Sequence, residues 1–252
     1  MKALTCVFYS VFFKFLIFHS AFAQNQTNTA DTLNLLTAKN NVTNAYTTSL
    51  DNDLHLYNGK EYLSYDKYYL KGHQFYKSSE EQEGAVYYEG HLYTKISLLY
   101  DVVLDQIVVS EPNGSLQFKL ENQKINYFQV HDHVFIRLNA DTLSTSAIRT
   151  GFYDLLVDGE TQVLAKRIKR IFEDVTPRGM EGEFVIEDKF LIRKNTRYYP
   201  VTKKKSVIKV LQNNKKELLK YSRTQHLKFN KEMREASLVK LVQYYNSLPT
   251  LQ

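Results

Sequence analysis

Apolar and polar residues alternate through the middle of this chain, and the period changes near its end. The clearest alternation runs over 115–121. Leu116, Phe118 and Leu120 point one way, and Ser115, Gln117, Lys119 and Glu121 point the other. A period of two predicts a strand with one wet face. The pattern continues over 125–138. Turn signals recur at short intervals: Tyr57-Asn58-Gly59, Pro112-Asn113-Gly114, Glu187-Asp188 and Lys194-Asn195. Glu89-Gly90, between Val86-Tyr87-Tyr88 and His91-Leu92-Tyr93, predicts a two-residue hairpin. Asp158-Gly159, joining 152–157 to 161–171, is the strongest hairpin signal. Such short connections force antiparallel pairing, because parallel strands need long crossovers. Residues 54–202 are therefore expected to form an antiparallel meander of roughly eight to ten strands, curled into a sandwich or open barrel.

Helical spacing takes over after 202. Val207, Ile208 and Leu211 open it, Asn214 with Glu217 resembles a capping box, and Leu218, Leu219 and Tyr221 follow. After a break at 223–230, Leu238, Leu241, Val242 and Tyr245 fall at i, i+3, i+4 and i+7, one apolar stripe that Pro249 ends. Packing on the sheet is the expected use of that stripe; a partner's groove is the alternative. The fold class expected is mainly β (α+β), with two or three helices in a basic C-terminal segment, 203–248.

Residues 1–23 read as a signal peptide. Lys2 gives a positive start, an apolar run follows, and Ala21-Phe22-Ala23 offers small residues at a cleavage site before Gln24. Lys14 interrupts the run, whereas a membrane anchor needs about 20 apolar residues. Residues 24–53, rich in Asn, Thr, Asp and Ala, read as a flexible or partly helical leader. The one cysteine, Cys6, lies inside the signal, so the mature chain would be cysteine-free. That excludes a disulfide, a thiolate metal site and a cysteine nucleophile. The location expected is the periplasm or cell surface of a Gram-negative bacterium, with no transmembrane segment once the signal is removed.

Composition and charge sharpen this. There are 19 Tyr and 15 Phe but no Trp, a bias toward pleated, half-buried surfaces. The net charge is +6, yet residues 201–252 hold 12 Lys/Arg against 3 Glu. A basic tail on a mildly acidic body suits an anionic surface or another protein, unless it is simply a solvated helix face.

Leu56-Tyr57-Asn58-Gly59 with Glu61-Tyr62, the run Gly84-Ala85-Val86-Tyr87-Tyr88-Glu89-Gly90-His91-Leu92-Tyr93, and Tyr100-Asp101 with Asp105 form one set of motifs. Gly151-Phe152-Tyr153, Asp158-Gly159 and Tyr244-Tyr245-Asn246 complete it. Together they resemble a group of uncharacterised exported β-rich proteins of Bacteroidetes-type Gram-negative bacteria. The resemblance implies the compartment and the β-rich fold. It carries over no activity, ligand or catalytic residue.

Chemistry-bearing motifs are sparse. His-Glu-x-x-His, Gly-x-Ser-x-Gly, the P-loop and Gly-x-Gly-x-x-Gly are all missing from the sequence. His131-Asp132-His133 would chelate a metal if both imidazoles shared a strand face, with a third ligand from His55, His73 or His91. The competing reading is a polar hairpin tip. Asp101 and Asp105 suggest paired carboxylates, but on one strand they would stand roughly 13 Å apart, so turn aspartates are the simpler reading. Ten tyrosines between Tyr57 and Tyr100 would suit a glycan-binding face or a sheet core. The basic runs Lys166-Arg167-Ile168-Lys169-Arg170 and Lys203-Lys204-Lys205 read as solvated, aggregation-resistant edges, or as contacts for a polyanion. No catalytic, cofactor-binding or metal residues are assigned, and no cofactor. The expectation is an exported, non-enzymatic binding or structural module. Its partner classes are an envelope protein, a lipid or a glycan, and not nucleic acid. A periplasmic carrier of hydrophobic or lipid cargo and a hydrolase are the alternatives. An open apolar cavity lined by Leu116, Phe118 and Leu120 would mark the carrier.

Overall fold

Fourteen strands followed by three helices make up the described part of the chain in a computed structural model. It describes residues 56–249 except 113, 115 and 141–147. The signal peptide and leader expected over 1–53 lie outside the described residues. The strands are β1 (Lys60–Glu61), β2 (Leu70–Lys71), β3 (Gln82–Tyr88), β4 (His91–Asp101), β5 (Gln106–Ser110), β6 (Gln117–Lys119) and β7 (Ile125–Val130). Next come β8 (His133–Leu138), β9 (Gly151–Val157), β10 (Gln162–Lys166), β11 (Lys169–Thr176), β12 (Gly179–Ile186), β13 (Lys189–Lys194) and β14 (Arg197–Val201). The helices are α1 (Lys204–Val210), α2 (Lys215–Thr224) and α3 (Arg234–Ser247).

Eleven strands form one open antiparallel sheet in the order β1-β6-β5-β4-β3-β7-β8-β9-β10-β13-β14. The mainly β fold with C-terminal helices is as the periodicity predicts. The connectivity is richer than a meander. Strands β3 to β6 run outward, then the chain crosses through a 3-10 turn at Asn122–Lys124 so that β7 pairs with the free side of β3. This is a Greek-key return. Strands β11 and β12 leave the large sheet and form a separate hairpin, with β2 added in parallel to β12.

The large sheet curls. In a flat sheet four strand spacings, from β4 to β9, would hold residues about 19 Å apart. Yet the rings of Tyr100 on β4 and Phe152 on β9 have centroids 6.2 Å apart. Phe128 and Phe135 stack at 4.7 Å, and Tyr100 meets them edge-on at 5.1 and 5.0 Å. These rings fill the concave side. Leu120 is buried in this cluster and Phe118 packs against it, while Leu116, near the sheet edge, is exposed. The inward positions thus enter a packed core.

A second core lies under the helices. Val157, Val163, Ala165, Phe190, Ile192 and Val201 of the sheet meet Val207, Ile208, Leu218, Leu238, Leu241 and Val242 of the helices. The expected stripe of α3 is therefore spent on the sheet, with Tyr245 half-buried at its end. Asn214 stands at the start of α2 without a side-chain cap. The working cap is at α1, where the Ser206 hydroxyl accepts from the backbone N–H of Lys203 at 3.2 Å and of Thr202 at 3.1 Å.

Hairpin tips fall where turn residues predict them. Tyr88 pairs with His91 across Glu89-Gly90, both with positive φ, a two-residue turn whose twist suits the strands. Val130 pairs with His133 across His131-Asp132, where His131 takes the positive φ.

Candidate functional site

Between the two cores runs a band of buried polar side chains. An ionised group costs several kcal/mol to bury unless it is paired and hydrogen-bonded, so each member must be accounted for. Asp154, on β9 amid the apolar run Gly151–Val157, is wholly buried. It accepts from Arg167 Nε at 2.9 Å and from His133 Nδ1 at 2.8 Å. Arg167, in the bend between β10 and β11, is only 6% exposed. Its guanidinium also donates to Asp188 at 2.7 Å and to both oxygens of Glu235 at 2.6 and 3.0 Å. It lies 5.7 Å from the Tyr76 ring centre. Burial opposes the Arg167 charge, but Glu235, Asp154, Tyr76 and Asp188 outweigh it and hold its pKa above the usual guanidinium value. One side chain thus ties β9, the loop before β13 and the first turn of α3.

Two further carboxylates are satisfied nearby. Asp105 accepts from the Tyr100 hydroxyl at 2.6 Å and from Lys166 at 2.6 Å. Burial draws the Lys166 pKa down, and Asp105 partly restores it. Asp101 accepts from the hydroxyls of Tyr62 at 2.9 Å and Tyr65 at 2.8 Å, and from the backbone of Val103 and Leu104. Tyr100 and Asp101 are successive strand residues and so point to opposite faces. The two aspartates accordingly serve opposite faces of the sheet at the turn between β4 and β5. They are turn and core aspartates, parted rather than converging on one cleft.

Gly151 is required by this arrangement. Its φ of +146° is open to glycine, and a Cβ there would sit 2.1 Å from Asp105 Oδ2 and 2.5 Å from Lys166 Nζ. Gly151→Ala is expected to cost about 2 kcal/mol through backbone strain and displacement of that ion pair. Urea denaturation against the parent protein measures it.

The histidine pair is a hairpin tip. His131 occupies the turn with φ +51°, and His133 begins β8. Both rings lie edge-on to Tyr76, at 6.1 and 5.5 Å, while His133 spends Nδ1 on Asp154. Of the proposed third ligands, His73 stacks on Phe75, His91 turns to the carbonyl of Glu89, and His55 lies outside the described residues. Among the described residues no three His, Cys, Asp or Glu side chains are grouped to hold a metal ion.

The run Lys166–Arg170 corrects the sequence reading. It is not a solvated edge. Lys166 and Arg167 are turned inward as described, and Lys169 donates to the carbonyls of His73 and Phe75 at 2.8 and 2.6 Å. Only Arg170 is exposed. The partners that make this burial possible lie tens of residues away, beyond any local pattern. The tyrosines divide likewise: Tyr62, Tyr76, Tyr88, Tyr93 and Tyr100 are buried, and Tyr68 stands fully exposed.

The unspent charge lies on the helices. Lys203, Lys205, Lys209, Lys215, Lys216, Lys220, Arg223, Lys228, Lys231 and Lys240 are exposed, and none pairs with a carboxylate among the described residues. Only Glu217 and Glu232 share that exposed layer, since Glu235 belongs to Arg167. On α2, Lys216, Lys220 and Arg223 fall at i, i+4 and i+7, one cationic stripe. No helix of the described residues is long and apolar enough to cross a membrane. No family model, curated protein or solved structure matches this chain.

Proposed function

We propose that the protein is an exported, non-enzymatic module of a Gram-negative envelope that binds a polyanionic surface through its lysine-rich helical layer. The observation that carries this reading is the contrast between a spent interior and an unspent exterior. The buried carboxylates have their donors, and the concave side is filled by Tyr100, Phe128, Phe135 and Phe152. The cations of the helices have no such partners. Like charges at i, i+4 destabilise a helix by a few tenths of a kcal/mol, a cost that an anionic partner reverses. A carrier of lipid cargo would need the concave side empty, and a hydrolase would need carboxylates that converge on an open cleft, whereas Asp154, Asp188 and Glu235 converge on the buried Arg167 guanidinium.

The test is cosedimentation with vesicles of phosphatidylglycerol and phosphatidylcholine. Binding to the anionic vesicles is expected, weakening as salt is raised, with none to the neutral ones. The triple variant Lys216→Glu, Lys220→Glu, Arg223→Glu should bind at least about a hundredfold more weakly, at about 1 kcal/mol per charge near an anionic surface. Equal binding to both vesicle types, or none to either, overturns the reading. Export is tested separately: N-terminal sequencing of the periplasmic form should begin at Gln24.

A further inference from the structure

We infer that the protein forms a two-fold dimer by pairing the free edge of β11 with the same edge of a second copy. The hairpin of β11 and β12 stands outside the large sheet. Strand β12 lies between β11 and β2, so β11 has one side without a strand neighbour among the described residues. The arm carries four of the nine large hydrophobic residues that stand exposed among those described: Phe172 at 60%, Val175 at 75%, Met180 and Ile186. An exposed edge of eight residues with apolar side chains is a template for another strand.

The order of charges along β11 says which strand. It reads Lys169-Arg170-Ile171-Phe172-Glu173-Asp174-Val175-Thr176, positive at one end and negative further on. Two antiparallel copies related by a two-fold axis must pair residues of like parity, since successive side chains alternate faces. With the axis on Phe172, the two exposed phenyl rings face each other. Arg170 of each copy then stands opposite Asp174 of the other, on the same face, and this happens twice. Placing the axis on Glu173 sets glutamate against glutamate. Placing it on Ile171 relies on Lys169, whose ammonium is already bound to the carbonyls of His73 and Phe75. In the Phe172 register Glu173 faces Ile171, its carboxylate being already held by Lys67 and Tyr69, and Arg170 and Asp174 each find their opposite. Arg170 is available for it, because its present partner Glu187 is an exposed contact.

The geometry also closes. The far edge of the small sheet is β2, two residues long, too short to template a further strand. Pairing β11 with β11 gives a six-stranded sheet with no new free edge of any length, a dimer and not a fibre.

Sedimentation equilibrium of the purified protein over a hundredfold concentration range tests this. The parent protein is expected to dimerise in the micromolar range. Arg170→Asp sets aspartate against aspartate twice, and Asp174→Arg sets arginine against arginine twice. Both single variants should be monomeric. An equimolar mixture of the two variants should recover the dimer, because each unlike pair is restored across the two-fold axis. Recovery on mixing also shows that both variants are folded. A parent protein that is monomeric throughout overturns the inference, as does a dimer that survives either single substitution. Failure of the mixture to associate overturns it too.

Discussion

Replacing Arg167 with methionine should destabilise the protein by about 3–5 kcal/mol, the largest single effect expected from a conservative-sized change in this chain. Methionine keeps much of the volume but leaves Asp154 buried with only His133 and a long 3.5 Å bond from the Tyr76 hydroxyl, and leaves Asp188 and Glu235 facing each other without their shared cation. Removing one partner of a buried pair is costly because the other keeps its desolvation penalty. Replacing both, as Arg167→Met with Asp154→Leu, should therefore recover part of the loss. Urea denaturation followed by tyrosine fluorescence measures both variants. A loss below about 1 kcal/mol for Arg167→Met would mean that the cluster is no more than a surface ion pair.

Alkaline pH is expected to unfold the protein steeply, beginning near pH 10. Burial raises the hydroxyl pKa values of Tyr62, Tyr65, Tyr76 and Tyr100, and nearby carboxylates add to the rise. Asp101 does so for Tyr62 and Tyr65, Asp154 for Tyr76 and Asp105 for Tyr100. Each is thus protonated in the fold at a pH where the unfolded chain, with tyrosines near 10, has lost the proton. Above pH 10 the native state holds more protons than the unfolded state, so stability falls as pH rises. The slope per tyrosine approaches 1.36 kcal/mol per pH unit only well above pH 10, where the unfolded chain is fully ionised, so four of them amount to roughly 4 kcal/mol between pH 10 and 11. Lys166 and Lys169 act the other way. Burial lowers their pKa values, so the native state gains relative stability as pH rises through their folded values toward 10.5. Two lysines do not offset four tyrosines. Urea midpoints at pH 9, 10 and 11 decide the matter, and the tyrosinate absorbance of these four hydroxyls should appear only as a step that coincides with unfolding. Ionisation of these four in a protein that is still folded would contradict it.

The strand-rich body and its turns were legible because their signals are local. Glu89-Gly90 supplies the positive φ values that a tight hairpin needs, and at His131-Asp132 a histidine takes the one positive φ. The cleanest alternation, 115–121, became the short strand β6, one in from the sheet edge, with Leu116 exposed, because alternation reports two faces and not whether a neighbour covers the end. The band of buried charge was not legible. Its clue was Asp154, a lone carboxylate in an apolar strand, which must have a buried partner. That partner, Arg167, sat in what reads as a solvated basic run, and Glu235 lies 68 residues beyond it. Sequence pattern senses neighbours a few residues apart, whereas pairing at this range is set by how the sheet curls.

The site where Arg167 meets Glu235 has a bearing on when the protein can become stable. Everything up to β14 precedes α3 along the chain. Until residue 235 has joined the fold, the guanidinium lacks its last carboxylate, and the apolar surface beneath α3 stays wet. The final helix thus acts as the latch on a sheet whose strands all come before it.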